Sequence, residues 1–192
     1  MTADFPQAFP STYAAIEKAT LASNFDMASD SLTGSLLRTL AASKPGGNFL
    51  ELGTGTGLST CWILDGMDLD SHLISIDHDQ ALLKVAADHL AQDERLDLVC
   101  MDGAQWIQSN PQLKFDFVFA DTWPGKYLLL DEVLSMINKG GMYIVDDMAP
   151  QSNWPEGHQE KASRLIQTLE AREDFVVTKQ RWATGMVIAV KK

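Results

Sequence analysis

The stretch NFLELGTGTGLST, residues 48 to 60, constrains this chain more than any other. An apolar run of β-type residues passes directly into three glycines at alternate positions, Gly53, Gly55 and Gly57, and then into a helix-type segment. A strand, a glycine turn and a helix in that order open a parallel α/β sheet, and a turn without Cβ atoms lets backbone approach a ligand closely. The same turn separates ligand classes. A dinucleotide fingerprint beginning at Gly53 needs glycine at position 58, where Leu58 stands. Glu51, just ahead of the turn, is poorly matched to closely spaced phosphates and suits a ligand with a cationic or hydroxyl-bearing end.

From Asn48 onward the pattern repeats. Strand-type runs at 48 to 53, 72 to 77, 96 to 101, 115 to 121 and 141 to 147 alternate with helix-type segments at about 57 to 66, 79 to 91, 103 to 109, 124 to 138 and 157 to 172. That alternation predicts an α/β fold with a parallel sheet covered on both faces. DFVVTKQ and TGMVIAVKK, separated only by RWA (181 to 183), predict a closing antiparallel hairpin. Residues 1 to 47 read as a helical cap ended by Pro45-Gly46-Gly47, and 48 to 192 as the sheet core of one domain.

Composition narrows the partners. A formal charge of −11 and 15 Lys and Arg against 26 Asp and Glu argue against nucleic acid, which needs clustered cations. Cys61 and Cys100 are too few for a disulfide framework. The start, MTADFPQAFPSTY, lacks a leader's basic and apolar regions, and no run is long enough to span a membrane, so a cytoplasmic protein is expected.

In an open parallel sheet, ligands sit beyond the carboxyl ends of the strands. The polar residues of this chain gather there: the Gly53 to Gly57 turn, Asp77, Asp102-Gly103, Asp121 and Asp146-Asp147. Asp77 lies 24 residues beyond Gly53, where a carboxylate is expected to hold ribose hydroxyls. A phosphate-free ligand with a ribose, a sulfonium and an ammonium, S-adenosylmethionine, fits this set.

These residues resemble the class I S-adenosylmethionine-dependent methyltransferases, and among them the catechol and caffeoyl-CoA O-methyltransferases. ELGTGTGLST resembles the family's first motif, SIDHD the acidic end of its second strand, CMDGAQWI the segment lining the adenine, and FVFADTWPGKY and GGMYIVDDM the two metal-ligand segments of the cation-dependent members. The resemblance implies a seven-stranded Rossmann-like sheet of order 3-2-1-4-5-7-6 with an antiparallel last strand. It implies that Gly53, Thr54, Gly55 and Gly57 wrap the methionine part, with Glu51 supporting them. Asp77 would accept the ribose hydroxyls, and His78, Asp102, Gly103 and Ala104 would border the adenine. Asp121, Asp146 and Asp147 would hold Mg²⁺ or Mn²⁺.

Two positions depart from the family pattern: Asp146-Asp147 stands where metal-using members carry Asp-Asn, and Pro124 replaces a lysine, with Lys126 two residues further on. The expected catalytic set is therefore Asp121, Lys126 and Asp146. The expected reaction is methyl transfer to an oxygen of a small planar acceptor bound by Trp123, Trp154, Arg181 and Trp182, in a monomer or homodimer. Without a metal, Asp121 or Asp146 would serve as base for a hydroxyl or amine. A nicotinamide-dependent oxidoreductase and a non-catalytic cofactor-binding protein are the alternatives.

Overall fold

The computed structural model describes residues 6, 8 to 151 and 154 to 192; the first five residues of the opening stretch read for a leader lie outside them. The elements run α1 (Tyr13–Ser23), α2 (Ser31–Ala41), β1 (Asn48–Leu52), α3 (Leu58–Gly66), β2 (His72–Asp77), α4 (Gln80–Leu90), β3 (Leu96–Cys100), α5 (Gly103–Ser109), β4 (Phe115–Ala120), α6 (Leu130–Ser135), β5 (Ile137–Val145), α7 (His158–Glu170), β6 (Phe175–Gln180) and β7 (Met186–Lys191). The strands form one sheet of order β3-β2-β1-β4-β5-β7-β6. β1 to β5 pair in parallel and β7 runs antiparallel to both β5 and β6.

Because successive strand residues face opposite sides, β1 supplies both layers of the core. Leu50 and Leu52 pack with Trp106, Val133 and Leu165, under α5, α6 and α7. Phe49 packs on the other side with Ile16, Leu37, Trp62 and Phe117, under α1, α2 and α3. Glu51 lies on that second side, fully buried. The parallel register places it beside Ser75 of β2 and Phe119 of β4.

One segment departs from its sequence pattern. The apolar run 124 to 138 reads as one helix, but only Leu130–Ser135 is helical, and β5 begins at Ile137 instead of residue 141. The residues ahead of α6 form a tight turn in which the amides of Lys126, Tyr127 and Leu128 all donate to the carbonyl of Trp123. Gly125 makes this turn possible with φ 83, and a Cβ there would meet Leu52 Cδ1 at 2.3 Å. The buried Tyr143 hydroxyl donates to the Gly125 carbonyl at 2.5 Å and fixes the turn to the sheet. On the other side of α6, the six residues of β5 from Ile137 to Met142 pass against the three from Phe115 to Phe117 of β4. This bulge, with Gly140 at φ 77, moves the strand start forward.

Candidate active site

A cavity of about 540 Å³ opens beyond the carboxyl ends of β1, β2 and β4. Gly53, Thr54 and Gly55 form its floor, and Asp77, His78, Asp102 and Gly103 line one end. Asp121 and Trp123 line the other. The segment joining α1 to α2 covers it with Phe25, Met27, Ala28 and Ser29. Phe25 and Ser29 carry no signal in the sequence, since they sit in an irregular link between two helices. Only tertiary folding brings them over the turn, where the Phe25 ring would lie 3.0 Å from a Cβ on Gly55.

Asp77 ends β2 and is only partly exposed. One carboxylate oxygen accepts the amide of Gly55 at 2.8 Å and the other that of Asp79 at 3.0 Å, so Asp77 shapes the glycine turn while facing the cavity. Asp102 caps α5 through the amide of Gln105 at 2.9 Å. His78 projects outward, with its side chain 81 % exposed. Ala104 lies in α5 beside the cavity-lining Gly103 and is not itself part of the lining.

Glu51 and Gly57 support the turn from beneath. One oxygen of Glu51 accepts the hydroxyls of Thr60 at 2.6 Å and Ser75 at 2.5 Å, and the Ser75 and Thr54 hydroxyls are 2.7 Å apart. The other Glu51 oxygen has no partner among the described residues. Burial, opposed by these hydroxyls, raises the Glu51 pKa from 4.5 to about 7. Gly57, expected to touch the ligand, instead lets two helices meet. It adopts φ 93, and a Cβ there would press on Ala86 and Leu90 of α4 at 3.0 Å.

The acidic end of the cavity is crowded with charge. Asp121 follows β4 and accepts the Ser29 hydroxyl at 3.2 Å. Burial pushes its carboxyl well above the usual carboxylate range; Lys126 opposes that, and the nearby Asp146 and Asp147 reinforce it. Asp146 is 2 % exposed and accepts from the Thr184 hydroxyl at 2.5 Å and from the Asp147 amide at 2.8 Å. Asp147 turns sharply at φ 57, and its side chain accepts from Gln151 at 2.7 Å. Among the described residues no three His, Cys, Asp or Glu side chains group so as to hold a metal ion. The expected ligand trio Asp121, Asp146 and Asp147 is thus near in charge but committed to other partners, and these donors do not fit a divalent cation as arranged here.

The expected acceptor residues divide into two groups. Trp123, 48 % exposed, meets the Tyr127 ring edge-on at 5.9 Å. Tyr127 meets His158 at 5.5 Å, and His158 meets Trp154 at 4.6 Å. His158 was not legible as part of this row, because α7 brings it there from a segment with no motif. Burial and the charges of Lys126 and Lys161 lower its pKa. Trp182 belongs elsewhere: its Nε1 donates to the Leu32 carbonyl at 2.9 Å and its ring packs on the α2 side of the core. Arg181 is exposed beside it.

The profile of a family described as a methyltransferase domain matches residues 50 to 148. A Mycobacterium ulcerans protein whose name proposes an O-methyltransferase is 29 % identical over 119 residues, covering 58 % of this chain and 52 % of that protein. A similarly named Mycobacterium tuberculosis protein is 29 % identical over 117 residues, with 58 % and 52 % covered. The chain spans about half the length of the curated relatives it matches. In fold it is similar to the O-methyltransferase TomG of Streptomyces achromogenes, solved with S-adenosylmethionine, at TM-score 0.82 and 20 % identity over 96 % of this chain and 91 % of that one. It is equally similar to a Bacillus cereus O-methyltransferase solved with S-adenosylhomocysteine, at TM-score 0.82 and 19 % identity over 98 % and 94 %. With more than half of its length matched to one family profile, and with a sheet order shared with solved methyltransferases, this chain belongs to the methyltransferase domain family.

Proposed function

We propose that the chain transfers a methyl group from S-adenosylmethionine to an oxygen or nitrogen of a small planar acceptor, with Asp121 as base and without a divalent cation. One observation carries the cofactor. The described residues lining the cavity include Asp77, Asp79, Asp102 and Asp121 and not one Lys or Arg. Such a lining opposes a dinucleotide's phosphates and favours a ligand bearing a sulfonium and an ammonium. Bound there, S-adenosylmethionine supplies an electrophilic methyl whose C–S bond breaks with its electron pair retained by sulfur.

The chain's own residues supply the rest. Asp77 is placed to accept ribose hydroxyls, and Asp102 and Gly103 to border the base. Phe25, Met27, Ala28 and Ser29 line the cavity from the segment between α1 and α2 and would limit water around the bound cofactor. Alignment of two bound reactants can be worth an effective molarity of ~10⁵ M or more. Asp121 lines the cavity, whereas Asp146 stands outside it with the Thr184 hydroxyl and the Asp147 amide as partners, so Asp121 is the better base. Trp123 connects the cavity to the aromatic row, which suits a flat acceptor.

The test is methyl transfer from labelled S-adenosylmethionine across a panel of phenols, enols and aromatic amines, with and without chelator. Turnover on at least one acceptor, unchanged by chelator and reduced ~100-fold or more in Asp121→Asn, is expected. Loss of turnover in chelator with recovery on Mg²⁺ would replace the base reading with a metal one.

A further inference from the structure

The cavity has one wall that secondary structure does not hold. Residues 25 to 29, between α1 and α2, make no backbone hydrogen bond among the described residues. The helices on either side are tied down: the buried Thr20 and Thr56 hydroxyls stand 2.7 Å apart, the Leu32 carbonyl accepts from Trp182 Nε1 at 2.9 Å, and Arg38 pairs with Asp65 at 2.8 Å. At the junctions, Asn24 ends α1 at φ 56, and Asp30 caps α2 by accepting the Leu32 amide at 2.7 Å. A short span without backbone hydrogen bonds between fixed ends opens at low cost. Two of its side chains reach residues of the opposite wall. The Phe25 ring lies against Gly55, and the Ser29 hydroxyl donates to Asp121 Oδ2 at 3.2 Å. Met27, although it lines the cavity, is 75 % exposed.

The Ser29 contact is the one that bears on the chemistry. Both residues line the cavity, and Ser29 is the only described side chain that hydrogen-bonds the Asp121 carboxylate. Lys126, expected to act beside Asp121, is buried in the turn after β4 and lies outside the cavity lining. A hydroxyl has a single proton to donate, so seating Ser29 on Oδ2 restricts rotation of the carboxylate and leaves Oδ1 as the oxygen without a described donor. We infer that Ser29 is the positioning residue of Asp121 and that residues 25 to 29 form a lid, so that covering the cofactor and setting the base are one movement. The inference rests on the methyl-transfer reading above and adds the order of events to it. S-adenosylmethionine enters while the lid is open, and the base is set once the lid has closed over it. S-adenosylhomocysteine leaves after the bond between Ser29 and Asp121 breaks.

The test is the release of S-adenosylhomocysteine from the loaded protein, followed by stopped-flow dilution through tryptophan fluorescence, to which the cavity-lining Trp123 contributes. Ser29→Ala is expected to release it ~10-fold faster than the wild type, the effect of losing one hydrogen bond to a charged group that holds the closed state. Ser29→Thr keeps the hydroxyl and is expected to stay near the wild-type rate. In an Asp121→Ala background, Ser29→Ala is expected to add no further acceleration, because its partner is already gone. Chymotrypsin cleavage after Phe25 reads the lid a second way: S-adenosylhomocysteine is expected to slow it in the wild type and to slow it less in Ser29→Ala. Equal release rates in Ser29→Ala and wild type overturn the inference, as does equal protection of Phe25 in the two proteins. So does release from Ser29→Thr as fast as from Ser29→Ala, or the same acceleration by Ser29→Ala in the Asp121→Ala background, since Ser29 then acts without Asp121. Absence of S-adenosylhomocysteine binding in the wild type overturns the underlying methyl-transfer reading instead.

Discussion

Asp77→Ala is expected to weaken S-adenosylmethionine binding by roughly 2 to 4 kcal/mol, about 30- to 1,000-fold, while leaving the chain folded. Two losses combine. A charged acceptor for the ribose hydroxyls disappears, worth about 1.5 to 3 kcal/mol by itself. The amide of Gly55 also loses its partner at 2.8 Å, which frees the turn that forms the cavity floor. Asp77→Asn keeps an acceptor for that amide and is expected to lose less. Calorimetry on variants shown to be folded by circular dichroism measures both, and an unchanged affinity in Asp77→Ala would remove Asp77 from the cofactor site.

Glu51→Gln is expected to change how stability depends on pH. The carboxyl of Glu51 is fully buried, and its pKa stands at about 7 in the folded chain against 4.5 when exposed. Between those values the folded chain keeps a proton that the unfolded chain has released, so the folded state binds more protons. Stability therefore falls as pH rises from about 4.5 through about 7 and levels off above, a span worth roughly 3 kcal/mol for this one group. Glutamine keeps an acceptor for Thr60 and Ser75 without the charge, so the variant is expected to gain on the wild type steadily over that window. Asp121 and Asp146 are also pushed up by burial, which makes the difference between the two proteins, and not either slope alone, the informative quantity. Denaturant melts at pH 5 and pH 8 measure it; parallel pH dependences would mean that the buried carboxylate is not the source.

The parts of this molecule that were legible in the sequence are those built on period and punctuation. Five strand-type runs ending in or beside Gly or Asp led to the parallel sheet and to Asp77, Asp102 and Asp121 at its edge, because strand direction alone decides which end carries the polar residues. The course from residue 124 to 138 was not legible. Its apolar spacing suits a helix throughout, and only the pinning of Gly125 by Tyr143 and the bulge against Phe115 shorten it. Gly57 could not be told from a ligand-binding glycine, since the helix packing that requires it joins α3 to α4, 29 residues away at Ala86. Trp182 looked like an acceptor residue by its place in a hairpin turn, but its indole reaches Leu32, 150 positions earlier. Phe25, Ser29 and His158 belong to the same class of long-range placements.

The central claim is that the aspartate-lined cavity takes a cationic, phosphate-free nucleoside. Isothermal titration of the wild-type protein with S-adenosylmethionine, S-adenosylhomocysteine and NADH, each under the same buffer and salt, tests it most directly. The first two are expected to bind with one site per chain, and NADH to give no binding heat. NADH binding at one site per chain, with neither sulfur nucleoside bound, would contradict the account.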